Sequence, residues 1–95
     1  MNAIEILSKE LTGKEIVLYV PIIEGSKIDS LFSIYPDWWE RGIKYVEVRR
    51  KIAFVLEANG TYKDRHGADY ILQLDREIGG VNKIPCYLTS KLTIV

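Results

Sequence analysis

Lys63-Asp64-Arg65-His66-Gly67-Ala68-Asp69 holds the densest set of reactive side chains in the sequence, including its one histidine. Acid/base catalysis there would pair His66 with Asp64 or Asp69, and a hard divalent cation would take the same carboxylates together with Asp75. Spacing supports neither. No second histidine or cysteine accompanies His66 to complete a zinc set, and charged residues around a glycine are what a solvated connection between strands contains. The segment is therefore expected to be a loop; no catalytic residue, metal ligand or cofactor is assigned, and a metal-dependent hydrolase built on Asp64, His66, Asp69 and Asp75 stands as a third reading.

Other chemical templates fail at required positions. Gly67-Ala68-Asp69-Tyr70-Ile71-Leu72 resembles the strand that carries the metal-binding aspartate in restriction-endonuclease-like nucleases. That family also needs an acidic residue or Gln, a spacer and a lysine on a following strand. Ile84–Lys91 ends in a lysine, but no carboxylate occurs anywhere after Glu77, so the second ligand is missing and the family is not claimed. Gly79-Gly80 lacks the lysine and hydroxyl of a phosphate-binding loop, and no Gly-x-Gly-x-x-Gly occurs. Cys86 is the one cysteine and lies in the apolar run Ile84–Leu88. It can form no internal disulfide, and a buried, inert thiol is expected.

Binding chemistry is better represented, in the stretch from Ser33 to Glu57. Trp38 and Trp39 are adjacent, so they cannot project the same way from a helix or a strand, and one of them is expected at the surface. Tyr35, Pro36, Asp37 and Arg41 surround them with the aromatic and arginine composition of protein-interface hot spots. With Tyr45, Arg49 and Arg50, the residues Tyr35, Trp38, Trp39 and Arg41 form the candidate protein interface. The alternative is that both tryptophans cap the rim of the core. Residues 41–66 also concentrate cations, and a nucleic acid would use Arg49, Arg50, Lys51, Lys63 and Arg65 on its phosphates. A net charge of zero and a sequence pI of about 6.6 are far from a basic nucleic-acid-binding balance. A solvated sheet face or an edge strand guarded by charge explains the same residues.

That zero charge hides a division. Residues 1–40 hold seven acids and three bases, and residues 41–95 hold ten bases and six acids. Such a split joins two halves of one fold, pairs two copies, or leaves a basic face for an acidic partner. Ninety-five residues suit one domain, and 47% hydrophobic with 27% charged residues is a folding composition. No apolar run approaches the ~18 residues that span a bilayer, and the first residues lack a signal-peptide pattern. No membrane partner is expected, and an intracellular, cytoplasmic location is.

The elements that must position these residues follow from local pattern. Asn2 to Glu5 reads as a capping arrangement, with Ile4, Leu7 and Leu11 on one helical face as far as Thr12-Gly13. Glu15–Ile23 is apolar on both alternating sets, a strand covered on both faces whose Pro21 end marks an edge or a limit. Ile28, Leu31, Phe32 and Tyr35 recur at helical spacing after Ser26. Lys44–Arg50 alternates like a strand with one wet face. Ile52–Leu56 follows as a central strand after a turn near Arg50-Lys51, as the continuation of one long bent strand, or within a helix from Arg49 to Ala58. Asn59-Gly60 predicts a tight hairpin turn leading into Thr61–Arg65. Asp69–Asp75, with Tyr70, Leu72 and Leu74 on one face, Lys83–Thr89 and Leu92–Val95 supply the remaining strands, linked through glycine-rich Glu77–Asn82.

The fold class expected is α+β, a mostly antiparallel sheet of about five strands with two short helices packed on one face. The function expected is that of a small non-enzymatic interaction or accessory protein, a class that includes proteins of viruses and mobile elements, binding another protein or itself as a homodimer or homo-oligomer. Nucleic-acid binding through the basic strand, with Lys51, Lys63 and Arg65 as further phosphate contacts, is the alternative.

Overall fold

Asn2 opens the fold by accepting a hydrogen bond from the Glu5 amide at 2.9 Å, and helix α1 (Ala3–Leu11) follows. It stops where glycine permits: the Thr12 amide closes onto the Ser8 carbonyl at 3.1 Å, and Gly13 takes φ +87°. Its Ile4, Leu7 and Leu11 face the main apolar cluster. The computed structural model describes residues 2–23, 26–27, 32–34, 42–65 and 67–95.

After α1 come β1 (Glu15–Ile23), β2 (Ser26–Lys27), β3 (Lys44–Glu57), helix α2 (Gly60–Asp64), β4 (Tyr70–Ile78) and β5 (Val81–Cys86). All pairings are antiparallel, and the sheet runs β2-β1-β3-β4-β5. This is the α+β arrangement expected from the sequence. Among the described residues the strand count is corrected to four full strands, because β2 is only two residues long.

β1 is buried on both alternating sets, from Ile16, Leu18 and Val20 on one face to Val17 and Tyr19 on the other. Pro21 does not end it. β1 continues to Ile23, and Pro21 sits in register with Tyr45 at a position whose missing N–H would face away from β3, so no ladder bond to β3 is lost.

β3 resolves the choice left by the sequence: Lys44 to Glu57 is one strand with two neighbours in succession. Lys44–Lys51 pairs with β1, and Ile52–Glu57 pairs with β4. Between Ile52↔Leu74 and Phe54↔Gln73 the strand advances two residues against one, a β-bulge at Ala53. The extra residue switches the buried set from even to odd. Ile52 and Val55 both enter the core, while Phe54 and Leu56 leave on the other face, 56% and 38% exposed.

The main cluster joins Ile16, Leu18 and Val20 of β1 to Ile52 and Val55 of β3, Tyr70, Leu72 and Leu74 of β4, and Ile84 and Cys86 of β5. Each fully buried Leu or Ile contributes on the order of 1.5–3 kcal/mol. A smaller cluster, Ala58, Ala68 and Ile71 with Tyr62 of α2 against it, uses the alternate set of β4. The two helices therefore attach to different clusters.

Two further expectations are corrected. Asn59-Gly60 is not a hairpin turn: Asn59 is extended at φ −147°, only Gly60 of the pair has positive φ, and Thr61–Asp64 continue as α2. Thr61–Arg65 offers no apolar face for β3 to pair with, whereas Tyr70, Leu72 and Leu74 do. The helix expected over Ile28–Tyr35 is not present at its described end. Ser33 exchanges both backbone hydrogen bonds with Tyr19, at 2.8 and 2.9 Å, which is bridged extended chain. Ile28, Leu31 and Tyr35 lie outside the described residues. The glycine-rich link is a two-residue turn, Gly79 and Gly80 at φ +57° and +82° between paired Ile78 and Val81. No helix among the described residues is long and apolar enough to cross a membrane.

Candidate interaction edge

The two sides of β1 are both occupied. Ile52 exchanges backbone bonds with the β1 approach, its carbonyl accepting from the Gly13 amide at 2.8 Å and its amide donating to the Lys14 carbonyl at 2.9 Å. By the period of two, Arg50, Val48, Val46 and Lys44 also turn their backbone groups toward β1. On the far side of β1, the Val17 amide donates to the Thr93 carbonyl and the Glu15 carbonyl accepts from the Val95 amide, each at 2.9 Å. Tyr19 bonds Ser33 and β2 pairs with Ile22 and Ile23. Three short pieces of chain thus cover one edge of β1 while β3 covers the other.

β3 is covered less completely. The backbone groups of Tyr45, Glu47, Arg49 and Lys51 point away from β1, toward the side on which β4 pairs only from Ile52 onward. The Lys51 amide is satisfied by Asp75 Oδ1 at 3.0 Å, and the Arg49 carbonyl accepts from Arg50 Nη1 at 2.8 Å. Among the described residues no strand pairs with Tyr45, Glu47 or Arg49 on this side. Among the described residues, Lys44–Arg50 is therefore an edge that bears charge.

The side chains along this edge fall into two rows. Tyr45, Glu47, Arg49 and Lys51 share the outer face, the last three exposed. Half-buried Tyr45 meets buried Tyr19 edge to face, ring centroids 5.4 Å apart at 86°, a diagonal cross-strand contact that fixes the start of the row. Lys44, Val46, Val48 and Arg50 take the opposite face, where Val46 and Val48 pack on the main cluster. Arg49 and Arg50 therefore leave the sheet in opposite directions. Arg50 is half-buried, and its Nε is buried without a hydrogen-bond partner among the described residues.

The structure brings together Tyr45, Arg49 and Lys51 of the sequence-derived candidates, on one face of one strand. Tyr35, Trp38, Trp39 and Arg41 lie outside the described residues, as does His66. Lys63 and Arg65 are exposed on α2 and at its C-cap. That helix packs beside Ile71, which pairs with Leu56, and Leu56 is five residues of strand, about 16 Å, beyond Lys51. Among the described residues no group of three metal-ligating side chains converges. The carboxylates considered for a metal do structural work: Asp69 Oδ2 accepts from the Leu88 amide at 2.8 Å, and Asp75 caps Lys51. Cys86 is fully buried, and burial pushes its thiol up from 9.0 to about 12 against the opposing pull of a hydrogen bond from the Tyr70 hydroxyl.

Two surface depressions flank the sheet. One of about 490 Å³ lies between Ile22 and Gly42–Tyr45, and one of about 290 Å³ between Phe32–Ile34 and Ile84, Pro85, Tyr87 and Ser90. Among their described lining residues there is no carboxylate, histidine or cysteine. Asp75 was not legible as part of the edge; its signal is a carboxylate placed where the Tyr70-Leu72-Leu74 alternation ends. No family model matches the chain, and no curated protein or solved structure matches it.

Proposed function

We propose that this protein is a non-enzymatic interaction module that binds another protein, or a second copy of itself, along the Lys44–Arg50 edge of β3. One observation carries the reading: among the described residues β3 has a seven-residue stretch paired on one side only, in a sheet whose β1 is covered along both sides. An unpaired strand edge is a template for another chain, with main-chain bonds giving affinity and alternate side chains giving selectivity. Tyr45 and Arg49 on its outer row are residue types that dominate interface energetics.

A proline scan tests it. Glu47→Pro removes an amide that points away from β1, so the melting temperature should fall by less than about 5 °C, or about 1 kcal/mol for a chain of this size. Val46→Pro and Val48→Pro remove amides bonded to β1 and should abolish cooperative unfolding. Equal damage at all three positions contradicts the open edge.

A further inference from the structure

We infer that the partner segment is an extended, acidic peptide added to β3 as a strand, an inference that rests on the open-edge reading and specifies its partner. Lys44–Lys51 carries four cations, Lys44, Arg49, Arg50 and Lys51, and one carboxylate, Glu47. Both side-chain rows of the edge are therefore flanked by positive charge, Arg49 and Lys51 on the outer face, Lys44 and Arg50 on the other. A strand laid beside Tyr45, Glu47 and Arg49 brings its own side chains next to these rows, and acidic residues meet them with opposite sign.

Arg50 adds a specific contact. Its Nη1 now occupies the Arg49 carbonyl, the acceptor an added strand would use, and its Nε is buried without a partner among the described residues. A carboxylate arriving on the strand gives that guanidinium a charge-assisted partner and frees the carbonyl for the incoming amide. Self-pairing is less well matched. The register that places Val48 on a two-fold axis sets Glu47 against Arg49 of a second copy, but leaves Lys44, Arg50 and Lys51 of both chains without acidic partners. Like charges gathered along a strand pair oppose association.

The test uses fluorescein-labelled, end-capped octapeptides alternating Glu with Thr or Lys with Thr, and a single-stranded oligonucleotide of mixed sequence. Anisotropy should show the Glu-Thr peptide binding at least tenfold more tightly than the Lys-Thr peptide, with affinity falling as salt rises. Glu47→Pro should weaken the Glu-Thr peptide at least tenfold. Arg49→Glu, an exposed substitution that leaves the ladder intact, should cut the preference for the Glu-Thr peptide at least fivefold. Equal affinity for both peptides, binding of neither, or tight self-association that excludes the peptide overturns the inference. Oligonucleotide binding untouched by Glu47→Pro would assign the charges to phosphate instead. If neither peptide binds while the proline scan still separates Glu47 from Val46 and Val48, the acidic strand is wrong and the open edge stands; if the scan itself fails, the edge reading falls with it.

Discussion

The Lys51 amide donates to Asp75 Oδ1 at 3.0 Å, at the point where β3 stops pairing with β1 and begins pairing with β4. The contact closes the open edge at one end. It uses a side chain where a strand would otherwise supply a carbonyl, so the unpaired stretch ends at Arg50, and from Ile52 onward β4 is the neighbour on that side.

Removing that cap should cost stability without changing the fold. Asp75→Ala leaves the Lys51 amide to water and should destabilise by about 1 kcal/mol, the usual scale for one hydrogen bond. Asp75→Asn keeps an acceptor oxygen and should cost less. Urea unfolding of the two variants checks the order, and an Asn variant as damaged as the Ala variant contradicts the capping role.

Cys86 predicts an alkaline loss of stability. Its folded-state pKa lies near 12 against an ordinary value of 9.0, so between those values the folded chain holds a proton that the unfolded chain has released. Folding stability from this group is present below pH 9 and declines as pH rises toward 12. Wild type should lose stability faster than Cys86→Ala between pH 9 and 11 in denaturant titrations. Native protein should react with a thiol reagent only as fast as it opens.

The bulge at Ala53 predicts an asymmetry between two deletions. Removing Ala53 leaves Ile52 and Val55 on the core face and Phe54 and Leu56 on the outer face, so a regular ladder forms and the chain should fold. Removing Val48 shifts Lys44–Glu47 by one residue against β1 and sends each side chain to the wrong face. Cooperative thermal unfolding should survive the first deletion and vanish in the second.

Tyr19 and Tyr45 should be energetically coupled. Their edge-to-face geometry predicts an interaction of about 0.5–1.5 kcal/mol in a double-mutant cycle with leucine at each position. A coupling indistinguishable from zero would mean that the ring contact does not anchor the start of the edge.

Much of this fold is legible in the sequence because local pattern and tertiary demand agree. Asn2 caps the helix it announces, β1 is buried on both faces as its apolar letters require, and Gly79-Gly80 makes the turn its composition implies. Asn59-Gly60 misleads because turn propensity is local, whereas pairing needs an apolar face. Thr61–Arg65 has none, so α2 forms, Tyr62 settles against Ala58 and Ala68, and β3 waits for Tyr70. The alternation of Lys44–Arg50 was readable as a strand with one wet face. Whether it is a solvated face or also an edge stayed open in the sequence, because strand order depends on where β4 departs, at the bulge and Asp75, and among the described residues the strand is unpaired on one side.

Amide hydrogen exchange across Lys44–Arg50 in the isolated protein tests the open edge most directly. An open edge gives a period of two: slow exchange at Val46, Val48 and Arg50, whose amides are bonded to β1, and fast exchange at Tyr45, Glu47 and Arg49. Uniform protection along the strand would mean that the edge is already covered and that no partner strand can add there.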